Sequence, residues 1–141
     1  MRTFIKVVIL LLIAIAAILV FAYSQRFVRT VVFGNQYPRS YLDMVSCALA
    51  GSLAASIIVS IPIAATFRRK PWLAASAVSL PMLGIRLNEL FTYTGPFTPQ
   101  VRVMAAVEAG SYLAFLVAGS LLASTIWKQS DNHSNSHRPA T

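Results

Sequence analysis

Apolar residues run almost unbroken over four stretches of the chain. The first, Phe4 to Tyr23, has no polar side chain between Val7 and Ala22. The second, Met44 to Phe67, holds 24 residues without a charge. The third, Pro71 to Phe91, is charge-free as far as Ile85 and then meets Arg86, Asn88 and Glu89. The fourth, Val103 to Trp127, is interrupted by Glu108. A hydrocarbon layer about 30 Å thick takes about 20 helical residues to cross. Within lipid each segment must satisfy its own backbone polar groups, so such runs are helices. The pattern predicts an all-α, integral membrane four-helix bundle with spans at about 4–23, 44–67, 71–91 and 103–127. These form one domain, 1–127, folded as two transmembrane hairpins. The polar segment 128–141 is expected to be a disordered tail.

The connections fit this plan. Thr66 to Pro71 is a tight turn holding Arg68, Arg69 and Lys70, and Thr92 to Gln100 carries no charge. Ser24 to Leu42 is longer and mixes Arg26, Arg29 and Arg39 with Phe33 and Tyr37. A basic, aromatic segment of this kind is expected to lie among lipid head groups as an outer contact surface.

Composition narrows the class. Apolar residues make up 57% of the chain and charged residues 11%, against about a quarter charged in soluble domains. Disorder and a soluble globular fold are both excluded on this count. The balance of 12 basic to 4 acidic residues raises the question of nucleic acid. The cations sit between apolar runs, however, where anionic lipid and the positive-inside rule place them, so no nucleic-acid partner is expected. With the N-terminus inside, seven cations (Arg2, Lys6, Arg68, Arg69, Lys70, Lys128 and Arg138) face the cytoplasm and four (Arg26, Arg29, Arg39 and Arg102) face outward. Both termini are therefore expected on the cytoplasmic side, in the inner membrane of a bacterium. A competing reading makes the first run a signal peptide cut near Ala22-Tyr23-Ser24. Its apolar core is longer than the usual 7–15 residues, which favours an uncleaved anchor.

Two stretches echo each other. Ala50 to Ile58 and Ala118 to Ile126 agree at seven of nine positions, at an offset of 68. This is the signature expected of two tandem hairpins of one orientation. Helices in lipid associate through small residues and polar contacts. Ala106, Gly110, Ala114 and Ala118 recur every fourth residue, as do Ser52, Ser56 and Ser60. Both stripes are expected to be faces on which helices of the bundle pack. Pro62 and Pro81 each remove a backbone donor within a span.

Ionisable groups within a span mark a site, with a partner to be named. Arg86 lies six residues from the end of its span and Glu108 seven from the start of the next, both roughly 10 Å deep at 1.5 Å per residue. Antiparallel neighbours place them level. The same count sets Glu89 opposite Arg102, so two stacked charge pairs are expected.

Catalytic chemistry finds no footing in the sequence. The histidines, His133 and His137, are in the polar tail, and the lone Cys47 excludes a disulfide or a thiolate cluster within one chain. There is no phosphate-binding glycine loop and no nucleophile–base set. The expectation is a non-catalytic membrane protein without cofactor or metal that binds another membrane protein, as an accessory or immunity-type subunit, or associates with itself. The alternatives are a transporter or channel component built on Arg86 and Glu108, and a holin-like lesion former.

Overall fold

A computed structural model describes residues 2–34, 40–95 and 98–136. Four helices account for nearly all of them: α1 (Arg2–Phe33), α2 (Tyr41–Thr66), α3 (Pro71–Thr92) and α4 (Thr98–Ser136). Three of these, α1, α2 and α4, are long and apolar enough to cross a membrane. α3 has the length at 22 residues, roughly 33 Å, but carries Arg86, Asn88 and Glu89 near its end and is not among the three. The outward surface supports a lipid setting. Leu11, Leu12, Ile15, Leu19, Ile57, Ile61, Leu122 and Ile126 are all exposed, which in water would be a large uncovered apolar face.

Local signals fix the helix ends. Gly34, at φ 54°, adopts the left-handed conformation that closes α1, and its N–H donates to Thr30 O at 3.0 Å. Ser40 and Asp43 open α2 with a reciprocal capping box: Asp43 N–H donates to Ser40 Oγ at 3.1 Å, and Ser40 N–H donates to Asp43 Oδ2 at 3.3 Å. Pro71 stands at the start of α3, where its missing N–H is not needed.

Two boundaries differ from expectation. α1 continues ten residues past Tyr23, so Ser24 to Phe33 is helix and not a surface loop. The cause is tertiary: Ser24 is buried, and Gln25 Nε2 donates to Ala48 O of α2 at 3.3 Å, which gives the polar extension partners inside the bundle. Ala14, Ala17 and Phe21 of α1 belong to the buried core of the bundle. At the other end α4 runs to Ser136, nine residues into the segment expected to be disordered, because no glycine or proline breaks it before Pro139.

Around the bundle the neighbours run α1, α2, α4, α3 and back to α1, with α2 and α4 in the most extensive contact. The core is built from small side chains. Ala48, Ala55, Ala64, Ala75 and Ala105 are buried, and Phe21, Ile63, Tyr112 and Leu116 fill the space between them. Ser52, Ser56 and Ser60 are buried on α2, and Ser120 and Ser124 on α4. Most of these hydroxyls donate back to their own helix: Ser56 to Ser52 O at 2.5 Å, Ser60 to Ile57 O at 2.9 Å, Ser120 to Val117 O at 2.9 Å. They act as small spacers that allow close approach, not as rungs between helices.

Gly119 marks the tightest point of that approach. A Cβ there would lie 3.2 Å from Ser60 Oγ and 3.3 Å from Ser60 Cβ. Gly119→Leu is therefore expected to push α2 and α4 apart and to cost about 1–3 kcal/mol, read as a fall in the melting temperature of the purified protein in detergent.

Candidate functional site

Four helices converge on one polar cluster in the half of the bundle nearest the α3–α4 loop. α3 supplies Arg86 and Glu89, α4 supplies Glu108 and Tyr112, α1 supplies Phe21 and Gln25, and α2 supplies Ala48 and Gly51. Arg86 Nε lies 2.8 Å from Glu108 Oε2, and Arg86 Nη1 donates to Glu89 Oε2 at 2.5 Å. The Glu108 side chain is 6% exposed, that of Arg86 22% and that of Glu89 38%. The three side chains thus grade from sealed core to partly open surface. Arg29 of α1 adds a second positive field at Glu108. Two carboxylates and two cations balance in this region, which is what allows them to sit within an apolar bundle.

Aromatic groups pack over the charges. The Arg86 guanidinium carbon is 5.5 Å from the centre of the Phe21 ring, within cation–π range. Phe21 in turn meets Tyr112 edge-on, with centroids 5.0 Å apart and planes at 77°. The Tyr112 hydroxyl and the Ser52 hydroxyl are both buried without a hydrogen-bond partner among the described residues. On the other side, Gly51 leaves room for Gln25: a Cβ at that position would collide with the Gln25 amide.

The stacked pairs expected from depth arithmetic are only partly present. Arg86 and Glu108 are level and paired, but Glu89 does not face Arg102. One turn of helix separates Glu89 from Arg86, which reaches it first. Arg102 instead turns to the Tyr93 carbonyl at 3.4 Å and is exposed. One arginine therefore serves two acids.

The two small-residue stripes part company. Ser52, Ser56 and Ser60 face inward against α4. Ala106, Gly110, Ala114 and Ala118 do the opposite: all four are exposed, and a Cβ on Gly110 would meet nothing within 4 Å. α4 buries the neighbouring face instead, through Ala105, Ala109, Tyr112, Leu116 and Ser120. That face carries the large side chains which fill the core, so it wins the inward position.

In the outer segment, Arg26 and Arg29 are exposed on the last turns of α1. Phe33 ends that helix. Tyr37 and Arg39 lie outside the described residues. Cys47 is buried near the cluster. Among the described residues no three His, Cys, Asp or Glu side chains gather as metal ligands.

Phe21, Gln25, Gly51 and Tyr112 were not legible as site residues. Only Tyr112 carried a signal, being four residues from Glu108 and so on the same helix face. Geometrically the cluster ties α3 to α4 through the contact of Arg86 with Glu108. No protein-family model, curated protein or solved structure matches the chain.

Proposed function

We propose that this chain is a small, non-catalytic, multi-pass membrane protein that works by binding a partner helix within the bilayer. The partner is another membrane protein, with this chain as its accessory, assembly or immunity-type subunit, or a second copy of the chain. One observation carries the reading: Ala106, Gly110, Ala114 and Ala118 form an outward stripe on α4, a helix apolar enough to lie in lipid. Small residues at four-residue spacing let two backbones approach closely, and close packing is the main attraction between helices in lipid. The charged cluster supports a structural role, since its arginine is held by two carboxylates.

In this reading all four helices span, α3 being carried in by its charge pairing with α4. Both termini lie on the cytoplasmic side of a bacterial inner membrane, as the cation count favours.

The test is co-purification in mild detergent through a C-terminal tag, with Gly110→Leu alongside. A stoichiometric membrane partner, or a discrete homo-oligomer, is expected with the parent chain and is lost with the variant. Because Gly110 faces outward, the same variant should melt within about 0.5 kcal/mol of the parent. A solitary chain, or association indifferent to Gly110→Leu, sinks the proposal.

A second reading, a transporter or channel component, draws on the buried Tyr112 hydroxyl, unpartnered among the described residues and one helical turn from Glu108. It requires a flux that Glu108→Gln abolishes while the protein still accumulates in the membrane. A holin-like lesion former would instead make expression alone lethal.

A further inference from the structure

The end of the bundle opposite the charged cluster holds a basic cleft of about 410 Å³. Lys6 of α1 and Arg68, Arg69 and Lys70 of the α2–α3 turn line it, and its described lining includes no carboxylate. α3 starts at this point with no side-chain cap, so the positive end of its dipole adds to the field. Lys6, Arg69 and Lys70 around one cleft are chemistry for a phosphate group.

A second hollow, about 390 Å³, runs between α1 and α2 and is almost wholly apolar. Ile9, Ile13, Val20, Ile58 and Pro62 are among its walls. The two hollows adjoin. Lys6 is one helical turn from Ile9, and Thr66 of the cleft is one turn from Pro62 of the groove. From Ile9 to Val20 the groove spans eleven residues of α1, roughly 16 Å. That is about half of a 30 Å hydrocarbon layer, the depth of one leaflet.

We propose that this composite surface binds one anionic phospholipid from the leaflet at the α2–α3 turn, with the phosphate in the basic cleft and an acyl chain in the α1–α2 groove. The charge of the cleft selects the head group. The groove selects a lipid over a free phosphate, because only a lipid fills both hollows.

The test is native mass spectrometry of the full chain, released from detergent containing equal amounts of phosphatidylglycerol and phosphatidylcholine with the same acyl chains. The parent protein should retain one phosphatidylglycerol in clear preference. Each cation near a membrane surface contributes about fivefold in binding, so Lys6→Gln, Arg69→Gln and Lys70→Gln together should reduce that preference about a hundredfold. Ala16→Trp, at an exposed position lining the groove, should lose the lipid with the cations intact. Equal retention of the two lipids by the parent, or unchanged preference in the triple variant, overturns the proposal. So does displacement of the lipid by millimolar inorganic phosphate in parent and Ala16→Trp alike, which would make the cleft a site for free phosphate. Should the triple variant not fold, a salt series on the parent decides. Preference that falls as salt rises supports the site, and preference flat in salt refutes it.

Discussion

Arg86→Met is expected to destabilise the bundle by about 3–5 kcal/mol, the range found when one member of a buried ion pair is removed. Glu108 is the reason. Its side chain is almost sealed, and the substitution strips its closest cation while leaving the carboxylate in place. Arg29 still contributes its positive field at Glu108 but is exposed on the last turns of α1, where solvent screens it more than the buried Arg86 contact. Glu89 also loses its partner, but it is more open and can turn to the surface. Removing both charges of the pair is a different experiment. Arg86→Met combined with Glu108→Leu leaves no orphan carboxylate, and most of the lost stability should return. Equilibrium unfolding in mixed detergent reads both values. A single variant as stable as the parent would show that the pair does not clamp α3 to α4.

Tyr112 carries the other large effect, and two substitutions separate its two parts. The residue is among the largest fully buried side chains and stands edge-on to Phe21 at the centre of the core. Tyr112→Ala empties that space and is expected to cost about 3–5 kcal/mol, as for other large aromatic truncations. Tyr112→Phe keeps the ring and removes only a hydroxyl that has no partner among the described residues. An unsatisfied buried donor costs about 1–3 kcal/mol, so this variant should match the parent or exceed it. The pair of melting curves checks the packing. If Tyr112→Phe were instead strongly destabilising, the hydroxyl would have to be bonded in the folded protein.

How far the sequence foretold the fold depended on which force dominated at each place. The apolar runs around Val7–Ala22 and Met44–Phe67 are read from hydrophobicity alone, and helices stand there because lipid permits little else. The start of α2 was missed by hydrophobicity, whose run begins at Met44, because the capping box of Ser40 and Asp43 draws the helix start back to Tyr41. The ten-residue extension of α1 was missed too, since Ser24 and Gln25 look like the start of a loop until α2 supplies Ala48 O and the gap at Gly51. Orientation about a helix axis was hidden for a similar reason. Alanine, glycine and serine stripes look alike, and only the bulk of Tyr112 and Leu116 on the adjacent face decides which side of α4 turns inward. Depth arithmetic found Arg86 and Glu108 because it needed only helix rise and a short loop. It misplaced Glu89 because it ignored the nearer partner on the same helix.

The directional contacts between helices named above have an uneven distribution. Gln25 to Ala48, Arg86 to Glu108, and Phe21 to Tyr112 all gather towards one end of the bundle. Towards the other end Ile63, Ala74 and Ala75 contribute small and branched side chains to the apolar core. In the seam between, the hydroxyls of Ser56, Ser60 and Ser120 are spent on their own helices and add no directional tie. Mechanically the contacts at the charged end make it the stiffer half of the bundle. Amide hydrogen exchange is therefore expected to be slowest around the charged cluster and faster towards the α2–α3 turn.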